Sequence, residues 1–300
     1  MEKNRIVAIV VTYNRKDLLK ECIEALNKNE NLDVLVIDNA STDGTKELVE
    51  KYVSDTLKYV NTGNNLGGAG GFNFGIKEAL KNKNYKYLWI MDDDTIVQED
   101  SLDNLVKKAE ELNNDFSFLS SIALWKDGSL CKMNIQKLSE KSLEQYKLME
   151  KGVVFVDYAS FVSCFINVES IKKVGLPIKD FFIYGDDMEY TMRLNTDKPG
   201  FVVSTSVVIH KMKENDGINI IDADKTRIDR YFYNFRNLLY IYNKYDKREY
   251  RNYKIKCYYL MAKILFRAPN SKLKRIKTIL KAMKKAKKFN PEIEKLIKGN

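Results

Sequence analysis

Short apolar runs alternate with amphipathic segments over the first third of the chain. Ile6 to Val11, Leu32 to Ile37 and Tyr87 to Met91 are almost wholly apolar, as expected of strands buried on both faces of a sheet. Asp17 to Asn27 carries apolar residues at helical spacing, and similar patterns predict a helix over 43–53, a strand over 57–60 and a helix over 74–81. This alternation predicts an α/β fold with a mostly parallel open sheet and flanking helices.

Polar clusters follow the ends of these predicted strands. Thr12-Tyr13-Asn14 follows the first strand, Asp38-Asn39 the second, and Asp92-Asp93-Asp94 the strand at 87–91. Ligands of open parallel sheets bind beyond the carboxyl ends of the strands. The clusters therefore predict a binding site at this edge of the sheet.

The aspartate triplet at 92–94 is the most informative of these clusters. Three adjacent carboxylates repel one another, so we expect a cation to hold them. Oxygen ligands at Asp92 and Asp94 suit Mg²⁺ or Mn²⁺, which keep open positions for substrate phosphates and water. The alternative is a solvated acidic turn before the helix predicted to begin near residues 99–101, because acidic residues favour helix starts.

A glycine-rich loop over 63–71 is the second notable feature. Its glycines lack the spacing and position of a dinucleotide-binding fingerprint, and no Walker lysine follows them. A dehydrogenase of the Rossmann type is therefore disfavoured. We expect the loop to bring its backbone close to a nucleotide or a sugar.

The second half of the chain offers a second group of acids and one histidine. Asp186, Asp187 and Glu189 lie between an aromatic run and a predicted helix, where a buried carboxylate suits a general base and an exposed one merely caps the helix. His210, the chain's one histidine, ends a predicted strand over 201–209 and is a candidate metal ligand. An aromatic helix near 231–237 places Tyr233 and Asn237 on one face. These side chains are candidates for the site, but a helix that only docks the chain's tail to the domain explains the pattern at least as well.

Charge divides the chain at about residue 243. Residues 244–300 hold 19 Lys and Arg against 4 Asp and Glu, whereas residues 1–243 hold 32 against 37. We expect a catalytic domain over 1–243 and a basic amphipathic helical extension over 244–300 that binds an anionic membrane surface. Helices packed on the catalytic domain are the alternative, and a nucleic-acid partner is disfavoured because no such motif accompanies the charge.

Composition and termini set the expected compartment. The four cysteines form no metal-type spacing or disulfide framework, which favours a reducing cytoplasm. The first five residues lead into an apolar run too short for a signal peptide. We therefore expect a cytoplasmic protein held peripherally at the inner face of the cell membrane.

Several motifs occur together over roughly residues 5–240. In chain order they are Val10-Val11-Thr12-Tyr13-Asn14-Arg15, Val36-Ile37-Asp38-Asn39-Ala40-Ser41-Thr42-Asp43-Gly44-Thr45, Asn65-Leu66-Gly67-Gly68, Met91-Asp92-Asp93-Asp94, Gly185-Asp186-Asp187-Met188-Glu189-Tyr190 and His210. In this order they resemble family 2 glycosyltransferases of the GT-A fold, and the forms at 92–94 and 185–190 are most similar to those of bacterial galactofuranosyltransferases. Related capsule, O-antigen and exopolysaccharide transferases share the framework. One departure is Gly185, which stands where the galactofuranosyl group often has Trp.

The resemblance implies a role for each matching residue. Tyr13 would stack on uracil, Asp38 would accept a hydrogen bond from the base, and Asp93 would contact the ribose. Asp187 would be the general base, with Asp186 and Glu189 as second choices that bind or orient the acceptor. The implied metal ligands for Mn²⁺ or Mg²⁺ are Asp92, Asp94 and His210, and the remaining implied nucleotide-sugar contacts are Thr12, Asn14, Asn65, Gly67, Gly68 and Asn73.

These observations predict an inverting, metal-dependent glycosyltransferase. We expect it to move galactofuranose from UDP-galactofuranose to a hydroxyl of a lipid-linked glycan in bacterial surface polysaccharide synthesis. A rhamnosyl- or hexopyranosyltransferase using a dTDP- or UDP-sugar is the alternative within the fold. A noncatalytic nucleotide-sugar-binding or membrane scaffold protein is the alternative from another class.

Overall fold

The computed structural model describes residues 6–81, 85–217 and 219–296. The predicted entry into the first strand at residues 1–5 and the last four residues of the predicted extension lie outside this part. The strands are β1 (Ile6–Thr12), β2 (Leu32–Asp38), β3 (Leu57–Asn61), β4 (Tyr87–Asp92), β5 (Thr95–Val97), β6 (Phe118–Leu124), β7 (Lys137–Leu138), β8 (Val153–Tyr158), β9 (Cys164–Asn167) and β10 (Gly200–His210). The helices are α1 (Lys16–Leu26), α2 (Thr45–Val49), α3 (Gly67–Leu80), α4 (Ser101–Glu111), α5 (Tyr146–Glu150), α6 (Val168–Val174), α7 (Asp186–Leu194), α8 (Tyr231–Tyr245), α9 (Lys247–Arg267) and α10 (Lys272–Ala286).

All strands of the described chain join one sheet in the order β3-β2-β1-β4-β9-β6-β10-β8-β7, with β5 paired to β10. The neighbours from β3 to β4 run parallel, as do β6 and β10. Strand β9 lies antiparallel between β4 and β6. Strands β5 and β8 also pair antiparallel with β10, and β7 pairs antiparallel with β8. The predicted α/β fold with a mostly parallel open sheet is confirmed, with these strands and β9 as antiparallel additions.

The sheet is buried on both faces. Ile6, Ala8 and Val10 of β1 pack in one apolar cluster, and the intervening residues, Val7 among them, pack in another. Helices cover the two faces, so each central strand needs apolar side chains at every position. This burial explains why the sequence shows continuous apolar runs rather than alternation.

The glycine run forms part of a helix, which corrects the prediction of a loop over 63–71 followed by a helix over 74–81. Helix α3 begins at Gly67. A Cβ added at Gly71 would lie 2.6 Å from Cγ1 of Val11, and one at Gly75 would lie 2.7 Å from Cγ2 of Ile9. These two glycines therefore let α3 lie close against β1, and this packing outweighs the low helix propensity of glycine.

The described chain divides into two compact units. The first comprises residues 6–179, 187–216 and 293–296, and the second comprises 180–186 and 217–292. In the second unit α8 packs with α9 and α10 around a small apolar cluster, so the predicted boundary at 243/244 falls within that unit. A catalytic role for 1–243 alone stays a prediction. Among the described residues, no helix is both long and apolar enough to span a bilayer.

Candidate active site

Asp94 and His210 meet because of the pairing between β5 and β10. These strands run antiparallel with His210 opposite Thr95, and the backbone N–H of Lys211 donates to the carbonyl of Asp94 at 2.8 Å. Nε2 of His210 lies 2.9 Å from Oδ1 of Asp94. Asp92, Asp94 and His210 each offer a ligand atom, and these atoms all lie within 4.8 Å of one another.

The other ring nitrogen of His210 has its own partner. Nδ1 lies 2.8 Å from Oδ1 of Asn134, and the Sγ of Cys131 is 3.6 Å from the same nitrogen. Since an amide oxygen only accepts, this contact places a proton on Nδ1 and leaves Nε2 to face the aspartates. Second partners of this kind orient a metal-binding histidine. The set of two carboxylates and an oriented imidazole therefore fits a divalent cation such as Mn²⁺ or Mg²⁺.

Asp93 turns away from this set and contacts β1 and the residue that follows Asn14. The hydroxyl of Thr12 donates to Oδ2 of Asp93 at 2.8 Å. Nη1 of Arg15 lies 3.4 Å from Oδ1 of Asp93 and 2.6 Å from Oδ2 of Asp94. The sequence analysis gave Arg15 no role. The signal for it was present, because the triplet demanded a cation and Arg15 follows the strand that pairs with β4.

Burial and neighbouring charges separate the acids of the triplet. Burial raises the pKa of Asp93 to about 7, although the Arg15 charge lowers it. Burial and the charge of Asp94 raise the pKa of Asp92 to about 6. Burial also acts to raise the pKa of Asp94, but its hydrogen bond to His210 and the charges of His210 and Arg15 together outweigh that effect, and the pKa is lowered. Burial acts to lower the pKa of His210, but its contacts with Asp94 and Cys131 and the charges of the aspartates together raise it to about 10.

Asp38 lies in a polar pocket at the end of β2. Its Oδ1 accepts the backbone N–H of Ser41 at 2.8 Å, and its Oδ2 accepts the hydroxyl of Tyr59 at 2.7 Å. Burial and this bond raise the pKa of Tyr59 to about 12. Asn14 joins the two strand ends, because its Oδ1 accepts the N–H of Thr42 at 2.8 Å.

Tyr13 leaves 43% of its surface exposed beside this pocket. An exposed aromatic face next to a buried carboxylate is the arrangement that a stacked, hydrogen-bonded base requires. The roles given to Tyr13 and Asp38 stay predictions.

The remaining predicted sugar-nucleotide contacts fall into two groups. Oδ1 of Asn65 accepts the N–H of Gly67 at 2.9 Å, and the Gly67 carbonyl accepts Nδ2 of Asn39 at 3.0 Å. A Cβ at Gly68 would meet nothing within 4 Å, so this glycine faces open space. Asn73 differs because it is buried and its Nδ2 donates to the carbonyl of Pro177 at 2.8 Å. The Asn73 amide therefore makes a buried hydrogen bond within the fold.

The three acids of α7 have different surroundings. Glu189 is buried and its Oε2 lies 2.9 Å from Nη2 of Arg193, which also donates to the carbonyl of Leu176. Asp187 accepts the N–H of Met188 at 2.8 Å, and burial raises its pKa to about 6. Asp186 begins the helix and is buried. This raised pKa suits Asp187 to act as a base near neutral pH.

A strained segment leads into these acids. Phe182, Tyr184 and Gly185 have φ of 63°, 68° and 76°, and left-handed backbone is costly for residues other than glycine. The buried Asn237 holds this segment, because its Nδ2 donates to three carbonyls in the second unit, those of Phe181, Ile183 and Tyr184, at 3.0, 3.1 and 2.7 Å. The tight turn therefore explains both Gly185 and Asn237.

The sheet and the site define an α/β protein in which a cluster that fits a divalent cation lies in the same unit as a separate carboxylate of raised pKa. Residues 7–169 match Glycosyl transferase family 2. The chain belongs to this family, whose members transfer sugars from nucleotide-sugar donors. The predicted resemblance and the predicted enzyme class are confirmed.

Curated relatives are distant and differ in the sugar they name. The GalNAc(5)-diNAcBac-PP-undecaprenol beta-1,3-glucosyltransferase of Campylobacter jejuni is 26% identical over 86% of this chain and 81% of its own length. A galactofuranosyltransferase of Mycolicibacterium smegmatis is 24% identical over 63% of this chain and 65% of its own length. The glycosyltransferase GlyG of Streptococcus pneumoniae is 28% identical over 37% of this chain, which spans 36% of that protein.

Solved structures share the fold. GalNAc-T7 with UDP, GalNAc and Mn²⁺ gives a TM-score of 0.61 at 14% identity, covering 81% of this chain and 48% of that one. The mannosyltransferase PcManGT of Pyrobaculum calidifontis with GDP-Man and Mn²⁺ gives 0.55 at 16% identity, covering 95% and 76%. S. aureus TarS with UDP-GlcNAc gives 0.54 at 15% identity, covering 95% and 92%.

Proposed function

We propose that this enzyme transfers galactofuranose from UDP-galactofuranose to a hydroxyl of a lipid-linked glycan in bacterial surface polysaccharide synthesis. The observation that carries the proposal is that a cluster fit for a divalent cation and a candidate base lie in the same unit. The Asp92, Asp94 and His210 cluster lies near enough to Asp187 for the Asp187 charge to raise the pKa of Asp92. A diphosphate-binding cluster beside a base of raised pKa suits transfer of a sugar from a nucleotide diphosphate.

The donor's nucleotide would lie beyond the ends of β1 and β2. Tyr13 would stack on the uracil, while Asp38 would accept a hydrogen bond from it. Arg15 and Thr12 hold Asp93 in place, and Asp93 would contact the ribose. Gly68, with open space in front of it, would let the α3 backbone approach the donor.

Each half of the reaction has its own residues. Asp92, Asp94 and His210 would hold a divalent cation, which would supply Lewis-acid stabilisation of the departing diphosphate. Asp187 would take the proton from the acceptor hydroxyl as that oxygen attacks the anomeric carbon opposite the diphosphate, so the configuration inverts. Asp186 would help to orient the acceptor. Glu189 forms an ion pair with Arg193. This pair supports an orienting role for Glu189 rather than proton transfer by it.

Two further lines support the acceptor and the location. The name of the Campylobacter relative includes a polyprenyl diphosphate carrier, and that relative matches 86% of this chain. Basic helices α9 and α10 suit an anionic membrane surface. These lines support our proposal that the enzyme acts at the inner face of the cell membrane, where lipid-linked acceptors would be held.

A hexopyranosyl donor is the second candidate, and two observations favour it. The glucosyltransferase relative covers more of this chain than the galactofuranosyl one. Gly185 has φ of 76°, and a Cβ there would lie 3.3 Å from Cδ1 of Ile241. The Trp that galactofuranosyl enzymes often have at this point would be strained here.

Calorimetry and a donor panel test the proposal. UDP titrated into the enzyme should bind tightly with Mn²⁺ and weakly with EDTA. UDP-galactofuranose, UDP-galactose, UDP-glucose and dTDP-rhamnose should then be compared for turnover with a polyprenyl-diphosphate-linked saccharide. Fastest turnover with UDP-galactofuranose supports the proposal, and fastest turnover with UDP-glucose replaces it by the second candidate. Metal-dependent UDP binding without turnover of any donor would favour a noncatalytic protein.

A further inference from the structure

Helix α9 has two apolar faces, although a helix needs one to join a core. Cys257 and Ile264 are buried, and Tyr253, Leu260 and Met261 pack with them in the apolar cluster of the second unit. On the opposite side lie exposed apolar side chains, here called the outer stripe. They are Ile255 (68% exposed), Tyr258 (56%), Tyr259 (65%) and Phe266 (84%).

The outer stripe follows helical geometry. Residues 255, 259 and 266 are spaced by four and seven positions, which places them on one face of a helix. Phe266 is among the most exposed large apolar side chains in the described chain. Single exposed apolar residues are common, but a continuous stripe on a regular helix marks an interaction surface.

The charges around the outer stripe have one sign. Residues 250–291 contain 14 Lys and Arg and no Asp or Glu. Lys256, Lys263 and Arg267 lie on α9, and α10 packs against α9 within the same unit. Helix α10 adds the exposed Leu273 and Leu280 to an otherwise lysine-rich outer face.

We propose that the outer stripe of α9 inserts into the interface of an anionic lipid bilayer while the lysines and arginines beside it contact the lipid headgroups. Tyr and Phe with flanking basic residues have the composition of helices that lie in the plane of a membrane interface. The proposal rests on the proposed transfer to a lipid-linked acceptor for its purpose, but not for its test.

Charge argues against the two other occupants of such a face. A second copy of the chain would meet this surface with the same surface, because closed dimers are self-complementary. That contact would bring two sets of basic residues together with no acidic residue from 250–291 to offset them. Nucleic acid would match the charge but would leave Ile255 and the leucines of α10 without an apolar partner.

Vesicle flotation of the full-length protein measures the binding directly. We expect the protein to float with phosphatidylglycerol and phosphatidylcholine vesicles and to stay in solution with phosphatidylcholine alone. The triple variant Ile255→Ser, Tyr259→Ser and Phe266→Ser should bind the anionic vesicles at least tenfold more weakly. Matched controls are Val53→Ser and Leu143→Ser in the first unit, which change similarly exposed side chains and should bind as the unsubstituted protein does.

A second readout separates insertion from surface attraction. Tyr259→Trp should place an indole in the acyl region, so lipids brominated on their chains should quench its fluorescence, whereas a tryptophan introduced by Leu143→Trp should be unaffected. Equal flotation of the triple variant, or no quenching at position 259, overturns the proposal. So does a dimer that the triple variant converts to monomer, or oligonucleotide binding that the triple variant abolishes.

The same variants keep this proposal distinct from the proposed reaction. Metal-dependent UDP binding of the triple variant should equal that of the unsubstituted protein, because its changes lie outside the proposed donor site. Loss of vesicle binding with UDP binding intact supports the proposal. Vesicle binding without any transferase activity would contradict the proposed reaction and would still support the proposed membrane-binding surface.

Discussion

Two acidic regions of the first unit differ in what surrounds them. Within the triplet, Asp94 contacts Arg15 on one side and His210 on the other, and its pKa is lowered. Asp187 instead accepts a neutral backbone N–H, and burial raises its pKa to about 6. The neighbours of Asp94 therefore favour its ionised form, whereas the surroundings of Asp187 keep that carboxylate ready to gain a proton.

This difference suits the separate roles proposed for Asp94, which would bind a cation, and Asp187, which would act as a base. Carboxylates that must bind a cation are useful only when ionised, and positive neighbours favour that form. A base must take up a proton during the reaction, so a pKa near the working pH serves it better. Each prediction below removes one side of this contrast.

The largest effect is expected from Asp187→Asn. The amide keeps the shape but cannot take a proton, so turnover should fall by roughly 10²- to 10⁴-fold. Calorimetric UDP affinity with Mn²⁺ should stay unchanged. Initial rates measure the loss, and Asp103→Asn on the exposed face of α4 is the matched control. Turnover within threefold of the unsubstituted rate would remove Asp187 from the mechanism.

Asp94→Ala should act on the other region. It removes the carboxylate that contacts both His210 and Arg15, so Mn²⁺-dependent UDP binding should weaken by about 100-fold or more. Calorimetry with and without Mn²⁺ measures the change. Retained metal-dependent binding would remove Asp94 from the proposed metal site.

Asn134→Ala tests the residue behind the histidine. Without the amide oxygen, Nδ1 of His210 loses its acceptor and the ring its fixed orientation, so Mn²⁺ affinity should fall roughly 10- to 100-fold. Direct Mn²⁺ titration followed by electron paramagnetic resonance gives a readout independent of turnover. Asn134→Asp keeps an oxygen acceptor and should retain most of the affinity, and equal losses in the two variants would contradict this role.

The smallest effect concerns pH. Asp187 must be ionised to act, so kcat should rise with pH through about 6 and fall by about tenfold per unit below it. The folded-state pKa lies above the unfolded value, so ionised Asp187 destabilises the folded protein as pH rises through that range. Asp187→Asn should therefore raise the melting temperature at pH 8 and leave it unchanged at pH 4. A variant without the gain at pH 8 would contradict burial as the cause.

Prediction from the sequence succeeded where the signal was local. The apolar run before Asp92 predicted a buried strand with carboxylates at its end, and strand order brought His210 beside them. Asn134 was missed because it reaches His210 from a connection with no regular pattern, across 76 positions of the chain. Arg15 was missed because its partners, Asp93 and Asp94, lie far along the chain in the turn between β4 and β5.

The glycine run shows the opposite failure. Low helix propensity predicted a loop at positions where packing of α3 against β1 selects glycine. Strands β5 to β9 were also not predicted, because they are short or lack the continuous apolar runs of β1, β2 and β4. Contacts between distant segments decide such elements, and one sequence does not display them.

The antiparallel strand β9 divides the sheet into two parallel blocks, one from β3 to β4 and one containing β6 and β10. Asp92 ends a strand of the first block, and His210 ends a strand of the second. A cation bound by both Asp92 and His210 would link the two blocks across β9. Amide hydrogens of β9 should then exchange with solvent more slowly in the cation-bound enzyme, because a ligand that binds only when the two blocks are joined lowers the population of the form in which they separate.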